Sequence, residues 1–138
     1  MDQLKFHTQR LRVSGLRPTK QRLTICKVLF DRKETFHFTI EKLKKIVNKR
    51  SKDKISLATL YNTVHAFKKR GYLKEISLKG NKTFFDTNTK HHHHFYDEDV
   101  SQLVDIEDKN ISINYLPKTP NGKKIKSVEV LVKIANTR

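Results

Sequence analysis

The stretch Ser56–Leu73, SLATLYNTVHAFKKRGYL, constrains the fold of this chain more tightly than any other. It carries the start, the stop and the two-faced pattern of one helix. Ser56 is placed to cap the first turn, because its hydroxyl can accept from the N–H groups that a helix leaves free there. Gly71 is placed to end it, since glycine takes the left-handed C-terminal position without a Cβ penalty. Leu57, Leu60, Val64 and Phe67 recur at three- and four-residue spacing and predict one apolar stripe. Thr59, Asn62, Thr63 and Ala66 fall on the opposite side, with Tyr61 at the border. Lys68, Lys69 and Arg70 close the helix with positive charge. Short, uncharged donors and acceptors let a helix sink into a DNA major groove and meet base edges. An ordinary amphipathic helix with its polar face in water has the same pattern.

Charge separates the two readings. The chain of 138 residues has a net charge of +16, and the excess is unevenly placed. Residues 1–90 hold 23 Lys and Arg against 7 Asp and Glu, whereas residues 91–138 hold 7 of each. All the surplus therefore lies in the first part, as expected of a polyanion-binding module joined to a module with another task. A chain of this length can bury a core, as one domain or as two small ones. No apolar run is long enough for a transmembrane helix, and the polar N-terminus lacks the apolar segment of a secretory signal, so no membrane partner is expected. Cys26 is the one cysteine. It leaves no intrachain disulfide, fits a reducing cytoplasm, and reads as a small core residue rather than a reactive thiol.

Taken in order, residues from about 2 to 14 predict a helix that stops at Gly15. Gly15-Leu16-Arg17-Pro18-Thr19-Lys20-Gln21-Arg22 leads into a second helix, with Pro18 suited to its first turn and Ile25, Cys26 and Leu29 facing inward. The start of that helix, with Arg17, Lys20 and Arg22 beside it, suits phosphate. Phe36-His37-Phe38 reads as a short link. Thr39 caps a third helix with Ile40, Leu43, Ile46 and Val47 on its apolar face. After the Ser56 helix, residues 73–85 predict two strands around a turn at Lys79-Gly80-Asn81. Three helices followed by a hairpin is the order of a winged helix-turn-helix, in which the last helix enters the major groove. Arg17, Lys20, Ser56, Thr59, Tyr61 and Asn62 are the candidate DNA-binding residues.

Beyond residues 87–90, which read as a hinge, strands are expected at His91–Tyr96, Ser101–Ile106, Ile111–Tyr115 and Ser127–Ile134. So small a sheet buries little alone, and pairing with a second copy is the natural remedy. His91-His92-His93-His94 opens it. Neighbours on a strand point to opposite faces, so His91 and His93 share one face and His92 and His94 the other. Each pair can reach one metal ion with help from carboxylates, and Fe, Mn or Zn suit such donors. Asp86, Asp105 and His37 are the further candidate ligands, and a haem iron is an alternative partner for His91, His92, His93 and His94.

Gly15-Leu16-Arg17-Pro18-Thr19-x-x-Arg22, the SLATLYNTV helix, the KTFFDTN segment, the HHHH run and the following LVDI strand resemble the ferric uptake regulator (Fur) family over nearly the whole chain. Within it, TLYNT, FFDTN and SVEVLVKI look most like the iron response regulator (Irr) branch. The resemblance implies a DNA-binding dimer controlling iron or haem genes. By position, Arg17 resembles the residue that reaches the minor groove, and Tyr61 and Asn62 the major-groove readers. His37, Asp86, His93 and Asp105 resemble one metal site, while His92 and His94 resemble half of a second. A further family ligand falls on Phe95 and is lost. The paired CxxC motifs of many relatives are absent, so no structural zinc of that kind is expected, nor the long helix that usually follows the second strand.

The resulting expectation is an α+β chain: a winged helix-turn-helix DNA-binding domain at 1–86, a hinge at 87–90, and a β-rich dimerisation and metal- or haem-sensing domain at 91–138. It would act as a homodimer on a pseudo-palindromic operator in double-stranded DNA. Its cofactor would be a divalent metal (Fe or Mn, with Zn a further candidate), haem, or both. The rivals are a manganese-, zinc- or peroxide-responsive repressor of the same fold, and a constitutive DNA-binding protein without sensing. No glycine-rich phosphate loop or nucleophile–base pair points to an enzyme.

Overall fold

The structure, a computed structural model, describes residues 3–52, 54–80 and 82–137. The chain divides into two compact units, one ending at Thr89 and one beginning at Lys90. The class is α+β, with all four α-helices in the first unit and a small sheet in each.

In the first unit the helices are α1 (Gln3–Val13), α2 (Lys20–Phe30), α3 (Ile40–Arg50) and α4 (Leu57–Arg70). Three of them start on a hydroxyl cap. Thr19 accepts from the Arg22 N–H, Thr39 from the Lys42 N–H, and Ser56 from the Thr59 N–H at 3.1 Å. Pro18 is therefore not within the first turn of α2 but two residues ahead of it, because Thr19 takes the cap. Gly71 ends α4 at φ 91°, with its N–H on the Lys68 and Phe67 carbonyls. Leu11, Ile25, Leu29, Leu43, Val47, Leu60, Val64 and Phe67 interlock in one core.

The stripe on α4 is rotated from the expected one. Leu57 is 46% exposed, while Thr63 is fully buried beside Leu60, Val64 and Phe67. Threonine sits there at no polar cost, since its hydroxyl donates to the Thr59 carbonyl at 2.7 Å. Strands β1 (His37–Phe38), β2 (Lys74–Leu78) and β3 (Lys82–Asp86) form a sheet in the order β1-β3-β2. The hairpin β2–β3 turns through Lys79 and Gly80, which has φ 81°. Asn81, the third residue of the expected turn, lies outside the described residues. Phe36-His37-Phe38 is more than a link: β1 pairs antiparallel with β3, His37 opposite Asp86 and Phe38 opposite Phe85.

The second unit is a three-stranded sheet of β4 (His93–Asp97), β5 (Gln102–Ile106) and β6 (Leu131–Ile134), in the order β5-β4-β6. The β4–β5 hairpin is antiparallel, and β6 runs parallel to β4. The hairpin turns on Asp97, whose carboxylate accepts from the Asp99 and Val100 N–H groups. The strand expected at 111–115 does not form; a single 3-10 turn, Asp108–Asn110, precedes an extended segment without ladder partners, in which Ile113 and Tyr115 are exposed. The strand expected over 127–134 pairs as β6 only from Leu131. Tyr96, Leu103 and Ile106 are the buried apolar side chains of this unit, whereas Val104, Leu131 and Ile134 are exposed. Among the described residues, no helix is long and apolar enough to cross a membrane.

Candidate functional site

The polar surface of the first unit gathers where α2 begins and α4 faces outward. Arg17, Thr19, Lys20, Gln21 and Arg22 line a cavity of about 540 Å³ together with Thr59 of α4. Arg22 is tethered by its guanidinium to the Arg17 carbonyl at 3.0 Å, and its Nε is buried without a hydrogen-bond partner. Anions are attracted to such a place by the free N–H groups of a helix start as well as by the cations. Of the residues predicted to bind DNA, Arg17, Lys20 and Thr59 thus meet at one cavity. Tyr61 and Asn62 lie exposed on α4, and Ser56 serves as its cap. Sequence reasoning missed His65, exposed one turn beyond Tyr61 with its ring stacked on the tyrosine. Its spacing of four residues from Tyr61 was the available signal.

Also in the first unit, the pairing of β1 with β3 sets His37 against Asp86. Nε2 of His37 lies 3.2 Å from Oδ2 of Asp86, which is fully buried. The other carboxylate oxygen accepts from the Asn88 N–H at 2.8 Å, so the aspartate is held in place and turned towards the imidazole.

In the second unit the histidine run divides into the odd and even pairs that the sequence predicts, although the strand expected from His91 begins only at His93. His92 and His94 share a face, their ring centroids 4.4 Å apart. Asp105 stands directly opposite His94 in the β4–β5 ladder, and its Oδ1 lies 3.3 Å from Nε2 of His92 and 3.4 Å from Nε2 of His94. Nδ1 of His92 is 2.6 Å from the Lys90 carbonyl, which fixes that nitrogen as the donor and makes Nε2 the nitrogen that could ligate a metal. These three side chains offer ligand atoms all within 4.8 Å of one another. Two imidazoles and a carboxylate suit Fe, Mn or Zn.

His91 and His93 occupy the other face with Asp108, a residue not anticipated from the sequence. Nε2 of His93 is 2.8 Å from Asp108 Oδ1, and Nδ1 of His91 is 3.3 Å from the same oxygen. Nδ1 of His93 accepts from the Val130 N–H, and Nε2 of His91 donates to the Val128 carbonyl, both at 2.8 Å. The structure therefore sets Asp105 with His92 and His94, while His93, which the resemblance had grouped with Asp105, turns to Asp108. The reason is register: His94, not His93, is the cross-strand partner of Asp105. Asp108 follows Asp105 by one turn of chain, and the 3-10 turn at 108–110 folds it back beneath the odd-numbered pair. A cavity of about 620 Å³ adjoins this group, walled by Ile111, Ile113, Leu116 and Val128.

Residues 13–134 match the family model described as the ferric uptake regulator family. The ferric uptake regulation protein of Haemophilus ducreyi is 33% identical over 107 residues, covering 76% of this chain and 71% of that protein. The peroxide-responsive repressor PerR of Staphylococcus aureus (strain Mu50) is 32% identical over 97 residues, or 70% of this chain and 64% of its own length, just under two thirds. The crystal structure of the Vibrio cholerae ferric uptake regulator matches with a TM-score of 0.71 at 25% identity, covering 94% of this chain and 98% of that one.

Proposed function

The chain belongs to the ferric uptake regulator family, and from that premise we propose that it is a homodimeric, metal-responsive transcription regulator that binds a pseudo-palindromic site in double-stranded DNA. The observation that carries the proposal is the conjunction of α4, with Tyr61 and Asn62 exposed, and the imidazole–carboxylate set His92, His94 and Asp105. Phosphates of the duplex are held at the Arg17–Lys20 cavity, and bases are read by Tyr61 and Asn62. Asparagine favours an adenine edge, where it makes two hydrogen bonds. In the second unit, His92, His94 and Asp105 hold a divalent ion of the Fe, Mn or Zn class. His37 with Asp86 forms the donor pair of the first unit. A bound ion supplies positive charge and fixed coordination geometry, and it changes DNA affinity only so far as it favours one state of the chain over another.

A second reading is an Irr-like response to haem. The cavity of about 620 Å³ beside His91 and His93, with its apolar wall of Ile111, Ile113, Leu116 and Val128, supports it. Imidazole next to an apolar cavity is the environment in which haem iron is held. A manganese-, zinc- or peroxide-responsive repressor uses the same DNA-binding parts and differs in what it senses.

DNA affinity at one fixed salt concentration separates the readings. Salt must be fixed because binding by so basic a unit is strongly screened. Three states are compared: chelator-treated, with Mn(II), and with haemin. Binding that requires Mn(II) and is lost in His92→Ala and His94→Ala supports the metal reading. Tight binding without metal that haemin abolishes favours the haem reading. Equal affinity in all three states identifies a constitutive DNA-binding protein.

A further inference from the structure

His65 lies on the exposed side of α4, between the base-reading residues and the wing. Its ring is parallel to that of Tyr61, with 13° between planes and 5.9 Å between centroids. The same imidazole meets Phe85 of β3 at a right angle, with centroids 6.1 Å apart. Phe85 is buried and stacked on Phe38 of β1. An exposed histidine is thus fixed from two sides, and it in turn supports one face of the Tyr61 ring. Asn62 precedes it by three residues on the same exposed surface.

We propose that His65 is a positioning residue for DNA reading: it sets the Tyr61 ring against the wing and, when protonated, adds a cation to the groove-facing side of α4. The inference rests on the reading of α4 as the DNA-contacting helix.

An imidazolium stacks on a tyrosine face more strongly than neutral imidazole does, because the ring face is electron-rich. It also gains from nearby phosphates. The charged groups on this side of α4 are Lys68 and Lys69, one turn further on. Glu75, opposite Phe85 on β2, lies there too and is engaged by Lys68 Nζ at 2.7 Å. Glu75 is therefore already engaged by Lys68, and among the described residues no carboxylate pairs with His65. The protonated form is then favoured by DNA more than by the free protein. Affinity gained in this way is present only where the imidazole carries its proton, so it falls as pH rises.

The test compares wild type, H65F and H65Q. The probe is a duplex that the wild-type protein selects from a randomised pool, with Mn(II) present throughout. H65F keeps a ring for Tyr61 but no charge, and H65Q removes both. The metal-ligating histidines are common to all three proteins, so differences among them isolate position 65. On going from about pH 8 to about pH 5.5, wild type is expected to gain affinity over both variants. Its salt dependence, as log K against log salt, should steepen relative to theirs by about 0.9, the share of one phosphate contact. H65F should retain the wild-type preference for the selected duplex over a shuffled one, and H65Q should lose part of it. Variants with the wild-type pH profile, salt slope and preference overturn the inference and leave the DNA reading intact. A wild type that prefers no duplex overturns the DNA reading itself.

Discussion

On the proposed reading, an asparagine on the exposed side of α4 and an arginine at the mouth of α2 serve different kinds of recognition, and substitution separates them. Asn62→Ala should lower discrimination at one base position by about 1–3 kcal/mol, whereas Arg17→Ala should weaken all duplexes more evenly. Competition binding with single-base operator variants reads the difference, and equal losses on every sequence for both proteins would remove Asn62 from the base-reading set. Cys26 makes a contrasting prediction. Burial pushes its thiol from an ordinary 9.0 up to about 12, against a smaller opposing pull from Arg10. Thiol reagents at about pH 8 should leave the native chain unmodified and label it only on unfolding. Because the folded chain holds this proton more tightly than the unfolded one, the associated stability is full below about pH 9 and declines as pH rises towards 12. At this scale much was legible in the sequence. The division of His91 to His94 between two sides was expected from a strand over His91–Tyr96, although β4 begins only at His93 and the first two histidines precede it. Which carboxylate serves which pair was not legible, since that depends on the register of β4 against β5.

The helices are governed by their ends. Ser56→Ala removes the hydroxyl that accepts from the Thr59 N–H and should cost about 1 kcal/mol. Gly71→Ala forces a Cβ into the left-handed conformation and should cost about 1–2 kcal/mol, with Gly71→Asn costing less. No atom lies within 4 Å of a Cβ built there, so the loss is one of backbone conformation and not of crowding. Thermal unfolding checks both, and a Gly71→Ala protein as stable as wild type would place the stop of α4 elsewhere. Caps of this kind are written in single residues, which is why the helix starts at Thr39 and Ser56 are legible in the amino-acid sequence alone, whereas the start expected at Pro18 falls on the Thr19 cap. Strand β1 is not. Two residues carry no periodicity, and its existence depends on β3, whose partner residues lie 47 and 49 positions away. The inward turn of Thr63 was hidden for a related reason. A hydroxyl satisfied by its own helix packs like a valine, and composition marks it as polar.

At the scale of the molecule, the two units differ in what holds them. The first has a continuous core drawn from all four helices, β1 and β3, while the second buries, besides His92, His93 and His94, only the apolar side chains of Tyr96, Leu103 and Ile106 among the described residues. Cut after Lys90, the first unit should fold, remain monomeric and bind DNA weakly, as sedimentation and duplex titration will show. Tight two-fold binding by that fragment would mean that the dimer contact lies in the first unit. The charge step at residue 90 made this division legible, because each unit has its own electrostatic character. A thin second core was expected of so small a sheet; what the sequence did not show is that most of the segment 111–130, which reads as partly strand-forming, stays outside the ladders.

The parallel seam between β4 and β6 has a consequence for how the chain breathes. Thirty-three residues separate Asp97 from Leu131, against four between Asp97 and Gln102 in the β4–β5 hairpin. On the scaling for flexible loops, closing the longer span costs about 2 kcal/mol more. Strand β6 should therefore be the last to zip and the first to fray, while the β4–β5 hairpin persists. Fraying would break the bond from the His94 amide to the Val130 carbonyl and release His93 and His91 from Val130 and Val128. His92 and His94 would keep Asp105 throughout. In deuterium exchange the His94 amide should label well before the paired amides of β5. The two faces of one histidine run would then live on different clocks.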